Sequence, residues 1–423
     1  MAVRVGPDRG GGLFRRPRRE MRRDLAQLVC AGAGVGLGLL VPLLTVGPDA
    51  KSEQVVSLLF TIGFGVISLV SIIYSVLFLV VQFSSTMFTP RLGLFREDPL
   101  VWRAFAFAVG VFIFCVTAAL SIGTKQTVSA LVPTAAMLLA LVALWLMRAL
   151  QSRAFTSIQL APALASIAAR AHPLFDFLYT APFDPAASAR PRPAPTGATT
   201  LRWSGAAAVL QQVDAPTLVD LARRRGCVIT FRVPIGGTLV KGGPLADVTG
   251  GEMTGGKGIG TEASRTGVSE SELRAALVTG VERTFDQDPE LAFRLFADIA
   301  LRALSPAVND PATAVQTLDQ VEDLLTRLAD RDLDIGELTD EDGAVRIVVP
   351  VPSWEQYLST AVDDLIVVAA ASPMSLQRLR TMLDRLLDRC PEPRRAIVRD
   401  RLRWIEALGS EQYPRIWSPP AGT

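Results

Sequence analysis

Apolar and polar positions are unevenly distributed along the chain, with a change-over near residue 150. Four stretches before it contain no Asp, Glu, Lys or Arg: Leu25–Val46 (22 residues), Val55–Val81 (27), Ala104–Ile122 (19) and Val128–Met147 (20). A helix needs about 20 residues to cross ~30 Å of hydrocarbon, so four transmembrane helices are predicted. The first stretch carries Gly32, Gly34, Gly36 and Gly38, two overlapping pairs spaced by four that let helix backbones approach closely. In the second, Ser57, Thr61, Ser68, Ser71, Ser75 and Gln82 fall at about 0, 40, 20, 320, 0 and 340° around a helix. They make one polar stripe, read either as hydroxyl-mediated helix packing or as the lining of a water-filled path.

After residue 150 the periodicities change. Asp184–Pro195 is rich in Pro and Ala and reads as a linker. Ala206–Val213 and Cys227–Val233 read as strands around a short helix, Asp214–Gly226, with Asp214 as its cap. The spaced glycines of Val233–Val248 suggest tight hairpins. Ser269 with Glu272 makes a capping box. Asp288-Pro289 and Asp310-Pro311 both read as cap followed by Pro in the first turn, starting helices Pro289–Leu304 and Pro311–Ala329. A strand at Val345–Val351 and helices Ser353–Ala371, Ser375–Arg389 and Glu392–Gly409 follow. The predicted fold is an integral membrane α-helical domain followed by a cytosolic α/β domain with a small β-rich part and a helical C-terminal part. Its divisions are a basic tail (1–24), a four-helix transmembrane domain (25–150) and a connector helix with linker (151–200). A β-rich segment with a Gly-rich loop (201–268) and a mostly helical segment (269–423) complete it.

Composition sharpens this picture. A mean hydropathy of +0.33 with 49% hydrophobic residues is high for a water-soluble globule of 423 residues. The net charge is only +2, which argues against a nucleic-acid partner. The cations are placed asymmetrically. Arg4, Arg9, Arg15, Arg16, Arg18, Arg19, Arg22, Arg23, Arg91, Arg96, Arg103, Arg148 and Arg153 flank one side of the spans, against Lys51 and Lys125 on the other. The inner membrane, crossed several times with both termini cytoplasmic, is the expected location. The bilayer is one partner, a homo-oligomer another, and a cytosolic protein partner is not identified by these residues.

Candidate chemistry is sparse. His172 is the sole histidine, and the four cysteines form no CxxC pair, which argues against metal, disulfide and His-based catalytic sites. Gly251, Gly256 and Lys257 imitate a phosphate loop, but Gly258 replaces its Ser/Thr. Asp330, Asp332, Asp334 and Glu341 imitate a calcium loop, but Ile335 stands where the turn needs Gly. The expectation is a protein that is not an enzyme and needs no cofactor or metal.

Two segments resemble a known family. VVQFSSTMFTPRLGLF (Val80–Phe95) is similar to a QFSPR-type motif, with STMFT (Ser85–Thr89) where the family runs straight from Ser to Pro. ERTFDQDPELAFRLFADIALRALSPAVNDPATAVQTLDQ (Glu282–Gln320) closely resembles the second signature block of the same bacterial membrane proteins, domain of unknown function 2254. The resemblance implies this architecture without an activity. The polar residues it singles out are Arg91, Arg283, Asp286, Asp288, Asp298, Arg302, Asn309 and Asp310. Capping explains Asp288 and Asp310, and Asp298 can pair with Arg302 four residues on. The functional alternative is a polar site where the SPAVND turn meets the loop Gln82–Arg91. The function expected is sensing or scaffolding by the cytosolic domain, with an oligomeric channel or passive conduit as the alternative.

Overall fold

The computed structural model describes residues 3–4, 19–44, 48–87, 99–123, 125–157, 160–185, 197–250 and 267–417. It divides into a helical unit, Arg15–Ala163, and an α/β unit, Leu164–Thr423 with Met1–Phe14.

In the helical unit, α1 (Arg19–Leu40) runs into a 3-10 turn, Val41–Leu43. It is followed by α2 (Ser52–Met87), α3 (Pro99–Ile122) and α4 (Leu131–Ser157), and the unit ends within α5 (Leu160–Leu178). Among the described residues three helices are long and apolar enough to cross a membrane, over Ser52–Val76, Leu100–Ile122 and Leu131–Ser152. Of the first expected span, α1 ends at Leu40, ahead of Pro42 in the 3-10 turn, and its apolar stretch among the described residues runs over Gln27–Leu43.

Helix α3 is central to this unit. Half of its apolar window is buried, because α1, α2 and α4 all pack on it through Ala104, Ala108, Val111, Phe114, Ala118 and Ile122. The glycines of α1 split into two roles. A Cβ on Gly34 would stand 2.5 Å from the Gly110 carbonyl oxygen, and one on Gly38 would stand 2.7 Å from Thr117. Gly32 and Gly36 have nothing within 4 Å. One pair therefore serves close packing of α1 on α3, and the other faces away from the unit.

A feature not predicted is a two-stranded antiparallel sheet, β2 (Asp49–Lys51) with β3 (Thr127–Ser129), which joins the loops before α2 and α4. Because residues 127–129 pair as a strand, α4 begins at Leu131, later than the apolar run that starts at Val128.

The α/β unit contains β4 (Thr199–Arg202), β5 (Ala208–Val213), α6 (Ala215–Arg224), β6 (Cys227–Phe231), β7 (Thr238–Leu239) and β8 (Pro244–Gly250). Next come α7 (Glu270–Ala275), β9 (Leu277–Gly280), α8 (Glu290–Ala303), α9 (Pro311–Leu328), β10 (Glu337–Thr339) and β11 (Val345–Val348). The chain closes with α10 (Trp354–Leu358), a π turn (Ser359–Asp363), α11 (Asp364–Ala369), α12 (Pro373–Arg389) and α13 (Glu392–Gln412). With β1 (Val3–Arg4) at its edge, the larger sheet has the order β1-β10-β11-β6-β8-β4, and the smaller β7-β5-β9. Along β6, Cys227, Ile229 and Phe231 alternate inward onto a core shared with Leu218, Leu245 and Ile347.

Local signals place most of these elements. The Asp214 carboxylate accepts from the Thr217 amide at 3.2 Å and caps α6, and Gly226 takes φ +61° just past the end of that helix. Ser269 and Glu272 form the expected capping box, and Ser353 forms another with Gln356. The helix expected over Ser353–Ala371 contains the π turn, which separates α10 from α11. The acidic segment Asp330–Glu341 folds back on the chain, where the Asp332 amide donates to Ala181 O at 2.9 Å. Among the described residues no cluster of three His, Cys, Asp or Glu could hold a metal. Gly251, Gly256 and Lys257 of the phosphate-loop imitation lie outside the described residues.

Candidate functional site

Two groups of residues carry the candidate chemistry, one in each unit. The first is the stripe on α2. Ser57, Thr61, Ser68, Ser71 and Ser75 are all exposed, so among the described residues no other helix of the unit covers them. The buried face of α2 is formed by Val55, Leu59, Val66 and Val70. The Thr61 hydroxyl donates to Ser57 O at 2.8 Å and that of Ser75 to Ser71 O at 3.0 Å. Those two hydroxyls are satisfied by their own helix, which lowers the penalty of an apolar surrounding. Ser57 to Ser75 spans ~27 Å at 1.5 Å per residue, nearly the hydrocarbon thickness. Gln82 continues the same helix with its side chain outside the described residues, and Arg91 lies outside them altogether.

The second group is built on ERTFDQDPE. Arg283 grips Asp288 with two hydrogen bonds, Nε to Oδ2 at 2.6 Å and Nη2 to Oδ1 at 2.8 Å, and Nη2 also reaches Glu290 at 3.0 Å. The other oxygen of Glu290 accepts from Thr360 Oγ1 at 2.8 Å, inside the π turn. Asp288 is only 2% exposed. Burial pushes its carboxyl above the usual range, although the Arg283 guanidinium opposes the shift. Burial would lower the Arg283 value, but the two carboxylates outweigh it and hold the guanidinium charged.

Beside this triad the hydroxyls of Tyr179 and Tyr357 meet at 2.6 Å in a fully buried aromatic cluster with Phe175 and Phe293. Burial raises both phenols, and the carboxylates of Asp288 and Glu290 add to the effect. The turn after β6 presses on the same triad. Gly236 has φ +83°, and a Cβ there would stand 2.3 Å from Asp288 Oδ2. Gln287 exchanges hydrogen bonds with the backbone of Val213, at 2.9 Å to its amide and 3.1 Å to its carbonyl. The block thus ties β5, the Gly236 turn, α8 and the π turn together.

The remaining motif residues are dispersed. Asp286 is exposed. Asp288 is the partner of Arg283 and its carboxylate also accepts from the Leu291 amide in the first turn of α8. Asp298 pairs with Arg294 at 3.1 Å, in place of the expected Arg302. A Glu or Asp four residues after an Arg and four before another has two candidate partners, and sequence spacing does not rank them. Arg302 has its Nε buried without a partner among the described residues. Asn309 takes φ +48° as the chain leaves α8, with its amide donating to Ser305 O at 2.8 Å. Asp310 caps α9 as predicted, accepting from the Thr313 amide at 3.1 Å and from its hydroxyl at 2.6 Å. Those bonds hold its carboxyl below the usual range, the Thr313 hydroxyl contributing most. Tyr179, Tyr357 and Thr360 were not indicated by the sequence, because the contacts that unite them span 70 residues or more along the chain.

The family model described as predicted membrane protein (DUF2254) matches residues 25–385 of this chain. Among curated proteins, the uncharacterized protein Mb1321c of Mycobacterium bovis is 25% identical over 389 residues, covering 86% of this chain and 71% of the relative. The uncharacterized protein Rv1290c of Mycobacterium tuberculosis matches with the same identity and coverage. No solved structure matches.

Proposed function

The chain belongs to the DUF2254 family of predicted membrane proteins, and we propose that it is a non-enzymatic, oligomeric conduit of the inner membrane. In this reading copies of α2 face one another around a narrow polar path. One observation carries it: five hydroxyl-bearing residues are exposed along one face of the Ser52–Val76 helix. Polar groups at membrane depth face protein or water, and among the described residues no other helix of the helical unit covers these. The Arg/Lys asymmetry of the loops supports cytoplasmic termini and hence a cytoplasmic α/β unit. That unit has its own core, and its motif block is engaged in internal ion pairs, which favours a scaffolding or sensing role for it over catalysis.

The test is efflux of tracer ions and small solutes from proteoliposomes, wild type beside Thr61→Leu/Ser68→Leu, with oligomeric state measured in nanodiscs. Efflux from an oligomeric wild type that is lost in the folded double variant is the expected result. Tight vesicles from a strictly monomeric protein would overturn the proposal.

A further inference from the structure

The stripe on α2 does not begin at Ser57. Glu53 lies in the first turn of α2, four residues earlier. At 100° per residue it falls at about 320° on the scale used above, the azimuth of Ser71. Its side chain is exposed, and it makes no ion pair among the described residues. Glu53 stands one residue inside the boundary of the Ser52–Val76 span, where the helix leaves the β2–β3 sheet. The other charged side chains at this end are Asp49 and Lys51 in β2 and Lys125 before β3. The ammonium of Lys125 donates to Pro42 O at 3.0 Å, and Asp49 offsets Lys51. Of the four, Glu53 is the one on the helix face that carries the hydroxyls.

We propose that Glu53 is a selectivity residue: with α2 helices gathered around an axis, their Glu53 side chains form a carboxylate ring at the mouth that admits cations and rejects anions. This rests on the conduit reading above. Rings of acidic side chains select cations because a fixed negative potential concentrates them and repels anions where the path is narrow. The hydroxyls beyond the ring supply oxygen ligands that replace part of a small cation's hydration shell without trapping it.

The full-length protein in planar bilayers under a KCl gradient gives the potassium-to-chloride permeability ratio. A ratio of about ten is expected for the wild type, falling to within about twofold of unity in Glu53→Gln and kept in Glu53→Asp. Both variants should elute as the wild-type oligomer, so a change in ratio is not a folding defect. Conductance with a ratio near one in the wild type, or an unchanged ratio in Glu53→Gln, overturns the inference and leaves the conduit standing. Absence of any conductance in the wild type overturns the conduit, and this inference with it.

Discussion

Replacing Arg283 by Met should destabilise the α/β unit in a way that weakens toward acid. The substitution removes three charge-assisted hydrogen bonds, two to Asp288 and one to Glu290. Breaking a buried ion pair by deleting one partner costs about 3–5 kcal/mol, because the other charge stays buried. Asp288 is 2% exposed, but Arg283 and Glu290 are each 25% exposed, so water relieves part of the penalty. The lower limit, about 3 kcal/mol, is the expected value. In a unit of this size that lowers Tm by about 6–12 °C.

The sign of the pH dependence is fixed by Asp288. Burial already raises its carboxyl in the folded state while Arg283 opposes the shift, so the variant raises it further. A carboxyl raised by folding favours the fold while protonated, and that contribution is lost as pH rises through its folded value. The deficit of Arg283→Met should therefore be largest at neutral pH and shrink as pH falls into the acid range. Arg283→Lys, which keeps the charge but not the bidentate fork, should fall in between. Thermal unfolding of the full chain in detergent, followed by tryptophan fluorescence, reads this directly. A Tm within about 2 °C of wild type, or a deficit that grows toward acid, would refute the assignment.

Three further outcomes follow from single contacts. Gly34→Leu should lose about 1–3 kcal/mol and much of its folded yield, since its Cβ would strike the Gly110 carbonyl, while Gly36→Leu, with open space around it, should be neutral; thermal stability in detergent separates the two. Arg394 donates to the carbonyls of Leu328, Ala329 and Arg331 at the C-terminal end of α9, and burial lowers its value to about 10. Arg394→Met should cost about 3 kcal/mol in chemical denaturation, by leaving those carbonyls unpaired. At the α8–α9 turn, Asn309→Ala and Asp310→Ala should each lose about 1 kcal/mol, through left-handed strain and a lost cap, while Asn309→Gly keeps wild-type stability.

Elements marked by short-range chemistry were legible in the sequence. Asp214, Ser269 with Glu272, and Asp310 before Pro311 announce α6, α7 and α9 because a cap is decided within four residues. Pro42 carries a local signal as well, but the apolar run Leu25–Val46 reads straight across it, because hydropathy does not register a missing amide donor. The β2–β3 sheet was not legible, because DAK and TVS acquire strand geometry only by pairing with each other across α2 and α3. The π turn escaped for a similar reason. Ser353–Ala371 has an ordinary helical pattern, and the extra residue in the turn comes with the long-range bond from Thr360 to Glu290.

The two candidate groups differ in how their polar atoms are satisfied, and that difference separates structure from function. In the α/β unit the charges of Arg283, Asp288 and Glu290 are buried or half-buried, and each is engaged by the others or by Thr360. A saturated network of this kind fixes one arrangement of the chain, and it leaves little capacity to bind anything else. On α2 the arrangement is reversed. The Thr61 and Ser75 hydroxyls are bonded only to carbonyls of their own helix, and all five hydroxyl-bearing residues stay exposed, with no other described helix of the unit covering them. The periodicity of that stripe is visible in the sequence, but which way it faces depends on α3, whose small residues draw the opposite face of α2 inward. The motif block explains how the α/β unit holds its shape, whereas the α2 stripe is left exposed by the described residues of its own unit, which is why the conduit proposal turns on whether a second copy of the same helix covers it.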